Sequence, residues 1–153
     1  MRATTALPML LLAAACGGGY FAAAPAAGAA PTAASASIAV EQFMRAVADS
    51  NLTRMGQYWG TARGAAAVTG EPANWQQRVV VMQLYLSGGS FRVIGDVPAA
   101  GGGDRRVVTI DLVRGTCSKQ VPFTLGQAPG GGWIIVSLDL NDAGNPARPC
   151  GDS

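Results

Sequence analysis

The sequence predicts an α+β domain in which N-terminal helices pack on a curved, four-stranded antiparallel sheet. Apolar residues recur at helical spacing up to Leu86 and at a period of two from Phe91 onward. Helices followed by a run of strands are typical of this class, because neighbouring strands pair as hairpins and the helices cover one face. Residues 37–150 carry this pattern, and that length is enough to bury one hydrophobic core.

The first 15 residues are typical of an export signal. A single basic residue precedes an apolar run at residues 6–15, which is too short to cross a bilayer as a helix. Ala13-Ala14-Ala15 directly before Cys16 resembles the lipobox of bacterial lipoproteins, although Leu12 lies one position further from the cysteine than that family prefers. The resemblance implies that residues 1–15 are removed as a signal peptide and that Cys16 is lipidated.

Two outcomes remain open for the location of the protein. If Cys16 is lipidated, the exported chain is anchored to a bacterial membrane, at the outer membrane or the periplasmic face. If it is not, the chain is secreted after cleavage at a later small residue such as Ala24 or Ala36. In either case residues 16–36 are almost entirely Ala, Gly, Pro, Ser and Thr, and we expect them to act as a flexible tether.

The first two helices are predicted from caps and apolar spacing. Ser35 or Ser37 is a suitable N-cap for the first helix. Its apolar face is predicted at Val40, Phe43, Met44 and Val47. Polar residues 49–51 then break the pattern and offer caps for a second, short helix. The inward residues of that helix are predicted to be Leu52, Met55, and Tyr58 or Trp59.

A third helix is predicted after a loop of small residues. The loop spans residues 60–70, with a short extended piece at 66–69. Pro72 suits the first turn of the helix, where its missing N–H costs nothing. The apolar stripe of this helix is predicted to be Trp75, Val79, Met82 and Leu86, broadened by Val80, Leu84 and Tyr85.

Four strands follow, separated by glycine-containing turns. They are predicted at residues 91–97, 106–114, 117–125 and 133–141. In the last strand, one face is predicted to carry Ile134, Val136, Leu138 and Leu140, and the other Trp133, Ile135, Ser137 and Asp139.

The ionisable and sulfur-containing residues exclude several functions. The chain has no histidine, which removes a Ser-His-Asp arrangement and the commonest metal ligand, so we expect neither metal nor cofactor. The net charge is only +2 and gives no basis for nucleic-acid binding. With Cys16 assigned to lipid, Cys117 and Cys150 remain, and an even pair in an exported domain favours a disulfide. A reactive thiol or a metal site is the alternative.

Two stretches of the folded region resemble the nuclear transport factor 2-like superfamily. The first is the helix end at residues 47–55 with Tyr58-Trp59-Gly60, and the second is Gly131-Gly132-Trp133-Ile134-Ile135 before the last strand. The resemblance covers residues 37–141. It implies three helices wrapped on a bent antiparallel sheet, forming a cone whose cavity often binds small apolar molecules. Many members of the superfamily are dimers, which makes a homodimer an open alternative here.

The resemblance also suggests catalytic candidates. Isomerases and dehydratases of this superfamily use an aspartate base inside the cone, which implies Asp111 or Asp139 here, with Tyr58 or Tyr85 as a partner. Such a base needs a pKa raised by burial or by a second carboxylate. The alternative is that both aspartates lie on the solvated face of the sheet, where strand aspartates usually lie.

Four aromatic residues are candidates for lining a cavity: Tyr58, Trp59, Trp75 and Tyr85. Large aromatic side chains in a small domain more often contribute to the core, and this alternative applies to each of them. We therefore predict a membrane-anchored lipoprotein of the cell envelope whose non-catalytic domain binds a small, apolar molecule or a partner protein. An enzyme of isomerase or dehydratase type and a dimeric interaction scaffold are the alternatives.

Overall fold

The computed structural model describes residues 32–101 and 103–151. These residues form an α+β domain whose helices precede a four-stranded antiparallel sheet. The prediction of an α+β domain with a sheet of four antiparallel strands is thereby confirmed. Cys16 and the other residues before position 32 lie outside the described residues. The elements, in chain order, are α1 (Ala36–Ala48), α2 (Leu52–Tyr58), β1 (Gly60–Thr61), β2 (Gly64–Ala65), α3 (Ala66–Thr69), α4 (Trp75–Leu86), β3 (Ser90–Pro98), β4 (Arg105–Arg114), β5 (Cys117–Gln127) and β6 (Trp133–Leu138).

The sheet is a meander in the order β3-β4-β5-β6, and one of its faces carries the core. β4 and β5 are in register, with Val108 opposite Phe123 and Ile110 opposite Val121. α1 lies across this face and contacts all four strands. Phe43 of α1 and Phe123 form a T-shaped aromatic pair with a ring-centroid distance of 6.1 Å, which joins the helix to the centre of the sheet.

The first two helices begin where the sequence predicts. Ser35 caps α1, because its hydroxyl accepts the N–H of Ile38 at 3.2 Å. Asn51 caps α2, because its side-chain oxygen accepts the N–H of Arg54 at 2.9 Å. The predicted apolar face of α1 is buried: Val40, Phe43, Met44 and Val47.

The segment between α2 and α4 is more ordered than the predicted loop. β1 and β2 pair as a short hairpin. The prediction of an extended piece at residues 66–69 is wrong, because these alanine-rich residues form the single helical turn α3, which ends at Gly70 with φ 70°. Trp59, just before β1, makes a β-bridge to Ile135, so this segment covers the outer edge of β6.

The start of α4 is set by Trp75 rather than by Pro72. The prediction that Pro72 lies in the first turn is wrong, since Pro72 precedes the helix and its carbonyl accepts the N–H of Trp75 at 2.8 Å. The Trp75 ring lies against Gly56 of α2, where an added Cβ would be 2.5 Å from the ring. This close contact positions the first turn of α4 against α2.

α4 buries only one narrow stripe. Val79, Met82 and Leu86 are buried as predicted. The prediction that Val80 and Leu84 broaden this stripe is wrong, because their side chains are 47% and 57% exposed. α4 packs against α1 and α2 along one side, and the side chains on its opposite side are exposed.

β6 contains a bulge that overturns the predicted alternation. Leu125 is opposite Ile135 and Phe123 is opposite Leu138, so β6 holds one extra residue, Val136, between these pairs. Ile135 and Leu138 therefore pack on the core together, whereas the sequence predicts them on opposite faces. The strand also ends at Leu138, short of the predicted end at residue 141.

A second bulge lies in β3, at Ile94. Val93 is opposite Ile110, whereas Gly95 is opposite Thr109. After the extra residue, Asp96 faces the first turn of α1, where its carboxylate accepts a hydrogen bond from Ser37.

The packed region begins before the predicted domain start at residue 37. Ala33 is buried, and its carbonyl accepts the N–H of Trp133 at 3.2 Å. Thr32 lies against Gly132, where an added Cβ would be 2.8 Å from the threonine side chain. The end of the predicted tether is therefore fixed on the β5–β6 hairpin.

Candidate ligand-binding groove

A groove of about 400 Å³ lies between α4 and the end of β6. Its volume is within the range of roughly 300–1,000 Å³ that is usual for small-molecule sites. Apolar side chains form its walls, and polar side chains from the start of α4 form its rim. The lining residues are Asn74, Gln77, Arg78, Val81, Met82, Leu138 and Leu140.

The helical side of the groove follows from residue spacing. Gln77 and Arg78 of α4 are each three or four positions from the N-cap Asn74 and from Val81, which places these residues along one face of the helix. Val81 is 45% exposed on this face, whereas the next residue, Met82, is largely buried. The groove therefore lies along the border between the covered and uncovered sides of the helix.

The strand side of the groove depends on the bulge in β6. Leu138 and Leu140 are partly buried and pack against the core. The extra residue Val136 brings Leu138 to the face on which the helices lie. The groove thus has an apolar wall on each side, because Val81 and Met82 lie opposite these two leucines.

The rim of the groove carries a positive charge. The Nε–H group of Arg78 donates to the side-chain oxygen of Asn74 at 3.0 Å. Among the described residues Arg78 forms no ion pair, and none of the residues that line the groove is acidic.

The four aromatic candidates lie elsewhere. Tyr58 and Trp59 are each only 5% exposed and belong to the core. Trp75 is partly buried against Gly56, and Tyr85 is partly buried near the end of α4. None of the four lines this groove.

Sequence reasoning missed the residues that do line the groove. Val81 belongs to the run Val79-Val80-Val81-Met82. Four consecutive helical residues cannot all face one core, so the sequence does indicate an apolar side chain outside the core at this point of the helix. Leu138 had no comparable signal, because its orientation depends on the bulge.

Asp111 lies on the face of the sheet that the helices do not cover. Its neighbours Ile110 and Leu112 are in the core, so the side chain of Asp111 points the other way. Ser118 donates a hydrogen bond to the carboxylate, and the Nε and Nη2 groups of Arg92 donate to Oδ2 at 3.1 and 3.0 Å. The Ser118 hydrogen bond, followed by Arg92, lowers the pKa of Asp111, which is opposite to what a general base requires.

Asp139 is exposed and lies beyond the end of β6. Its carboxylate accepts the backbone N–H of Asn141 at 2.9 Å and so stabilises the turn after the strand. The two aspartates have separate partners. Five clefts on the described part of the chain are lined by neither of them.

The predicted disulfide is confirmed. Cys117, at the start of β5, is bonded to Cys150 in the C-terminal tail, with a Cα–Cα distance of 5.4 Å. The bond fixes the tail on the turn between β4 and β5.

The buried side chain of Arg114 also binds the C-terminal tail, through hydrogen bonds to backbone carbonyls. Its Nε donates to the Ser87 carbonyl at 3.0 Å, its Nη1 donates to the Ala143 carbonyl at 2.8 Å, and its Nη2 donates to the Tyr85 carbonyl. Burial lowers the pKa of Arg114, but the carbonyl oxygens at the end of α4 favour the charged guanidinium. The side chain therefore holds β4, the end of α4 and the tail together.

The described residues contain neither a metal-binding cluster nor a membrane-spanning helix. The described residues contain no group of three or more Cys, Asp or Glu side chains that could hold a metal ion. Within residues 32–101 and 103–151, no helix has the length and apolar character needed to cross a bilayer. No protein-family model, curated protein or solved structure matches the chain.

Proposed function

We propose that this protein is an exported lipoprotein, anchored through Cys16, whose folded domain binds a small apolar molecule in the groove between α4 and β6. The observation that carries the proposal is the groove itself, with Val81 and Met82 on one wall and Leu138 and Leu140 on the other. A preformed concave site with apolar walls and a few polar groups at its rim is the usual form of a small-molecule site.

We propose further that the helices and the sheet form the cone of the nuclear transport factor 2-like superfamily. The order of elements supports this, because α1, α2 and α4 precede a four-stranded meander. In such a cone the groove lies between the last helix and the sheet.

The positions of the aspartates favour binding over catalysis. An enzyme of isomerase type needs a carboxylate with a raised pKa in contact with its substrate. Asp111 is instead paired with Arg92, and Asp139 is exposed in a turn. The groove offers contact surface without either carboxylate.

Two neighbouring valines allow a matched test of the groove. Val80 and Val81 are 47% and 45% exposed on the same helix, but only Val81 lines the groove. We expect Val81→Gln to weaken binding of the neutral fluorophore N-phenyl-1-naphthylamine about tenfold, because a polar group in an apolar wall costs about 1–2 kcal/mol. Val80→Gln should change the affinity by less than about twofold. Fluorescence titration of the purified full chain measures both.

The thermal midpoints of the two variants serve as the folding control. Both substitutions are at exposed helical positions, so both midpoints should remain close to that of the original protein. Equal affinities for the two variants, or no binding by the original protein, would contradict the proposal.

A further inference from the structure

We propose that the groove selects an amphipathic anion, namely a monomeric fatty carboxylate whose chain lies between the apolar walls and whose head group contacts Arg78. This inference rests on the proposed function and adds the chemical class of the ligand. It depends on the charge at the rim, which is separate from the apolar character of the walls.

The guanidinium of Arg78 has donors to spare for a ligand. An arginine side chain carries five N–H donors, and among residues 32–101 and 103–151 only the Nε–H group of Arg78 is used, in the hydrogen bond to Asn74. That bond holds the side chain beside the groove and leaves both Nη groups available. Two parallel N–H donors match a carboxylate in geometry as well as in charge.

The surroundings of Arg78 also favour an anion over a cation. α4 contains no acidic residue between Trp75 and Leu86, and the groove lining contains none. Arg78 lies in the first turns of this 12-residue helix, at the positive end of the helix dipole. A cationic head group at this rim would therefore meet repulsion, whereas a carboxylate would meet a fixed positive charge.

A set of three amphipaths with the same chain tests the head group alone. We expect decanoate to bind the full chain about tenfold more tightly than decanol, because charge-assisted hydrogen bonds are about twice as strong as neutral ones. Decyltrimethylammonium should bind most weakly. Isothermal titration calorimetry with each compound below its micelle-forming concentration gives the three dissociation constants.

Matched arginine variants then assign the effect to the groove. Arg78→Gln should weaken decanoate binding to within about twofold of decanol, and decanol binding should fall much less than decanoate binding. Arg45→Gln makes the same change on the exposed side of α1, where Arg45 pairs with Glu41, and should affect none of the three compounds.

The outcomes separate the inference from the proposed function. If none of the three compounds binds, the proposed function itself is wrong. If decanol binds as tightly as decanoate, or decyltrimethylammonium binds best, the groove is apolar but does not select an anion, and the inference is overturned. Equal effects of Arg78→Gln and Arg45→Gln would also overturn it, because the preference would then come from the overall charge. Binding only to anionic phospholipid vesicles, and not to monomeric decanoate, would identify a membrane contact instead.

Discussion

Asp96 connects three elements through one carboxylate. The hydroxyl of Ser37 in α1 donates to its Oδ2 at 2.6 Å, and Arg106 of β4 donates from Nε to Oδ1 and from Nη2 to the backbone oxygen of Asp96. Burial alone would raise the pKa of Asp96, but the hydrogen bond from Ser37 and the charge and hydrogen bond of Arg106 lower it below its usual value of 3.8. The charged form therefore stabilises the folded protein.

This lowered pKa predicts a loss of stability in acid. A carboxyl group with a lower pKa in the folded state contributes stability above its unfolded pKa of 3.8, and that contribution is lost as the pH falls through the folded pKa. Asp96→Asn should reduce the free energy of unfolding by about 1–2 kcal/mol at pH 7. The difference between the variant and the original protein should shrink as the pH falls below 3.8. Urea unfolding at several pH values measures both.

Asp142→Asn provides a control for this measurement, because Asp142 is exposed and forms no ion pair among the described residues. It should leave the free energy of unfolding within about 0.5 kcal/mol of the original value. A difference for Asp96→Asn that stays constant from neutral to acidic pH would contradict the predicted role of the charge.

At the scale of elements, local signals were sufficient for α1 and insufficient for β6. Ser35 and the spacing of Val40, Phe43 and Val47 define α1 within its own sequence, so its bounds and its buried face could be predicted. The orientation of Leu138 depends on the pairing of β6 with β5, where Val136 is an extra residue. The residue types in β6 do not predict this bulge.

The candidate site was hard to predict for the same reason. The helical spacing predicts the buried residues Val79, Met82 and Leu86 of α4, but the exposure of Val81 depends on which elements pack beside the helix. The strand side of the site depends on the bulge. Tyr58 and Trp59 are candidates for lining a cavity because of their residue type alone, and both are instead part of the hydrophobic core.

The disulfide determines how the C-terminal tail is held. Cys117 and Cys150 are separated by 33 positions, and closing a loop of this size contributes about 3–4 kcal/mol in the chain-entropy model. We expect the double variant Cys117→Ser/Cys150→Ser to lose about this free energy of unfolding, as measured by urea titration.

Reduction provides the control for the double variant. Dithiothreitol should lower the stability of the original protein to that of the variant and should leave the variant unchanged. A variant as stable as the oxidised protein would contradict the predicted contribution of the disulfide.

For the whole molecule, the packed N-terminal end bears on how the chain is processed. Cleavage after Ala36 would remove Ser35, the cap of α1, and also the buried Ala33 with its hydrogen bond to Trp133. Secretion with cleavage after Ala36 would therefore remove part of the folded domain, whereas cleavage before Cys16 keeps Ala33 and Ser35.

The packing at Ala33 and Ser35 disfavours cleavage after Ala36 but not after Ala24. From the lipobox resemblance at residues 13–16, we predict that the mature protein begins at an acylated Cys16. In a bacterium with the lipoprotein pathway, intact-mass analysis should show added acyl mass, and the protein should be in the membrane fraction. Cys16→Ser should lack this mass and should not be processed at that site. A mature N-terminus at Pro25, after cleavage at Ala24, with no acyl mass would contradict the anchor but would leave the groove experiments unaffected.

The bulge at Ile94 affects how copies of the protein behave when they lie close together. In the part of the chain that the structure describes, β3 is at the edge of the sheet, since the strand order is β3-β4-β5-β6. An unpaired edge invites strand addition from another molecule. An incoming strand would meet a break in the hydrogen-bond ladder at Ile94 and a missing N–H at Pro98. Only a few backbone pairs could form on either side of Ile94. Edge-to-edge aggregation of closely spaced copies is thereby discouraged.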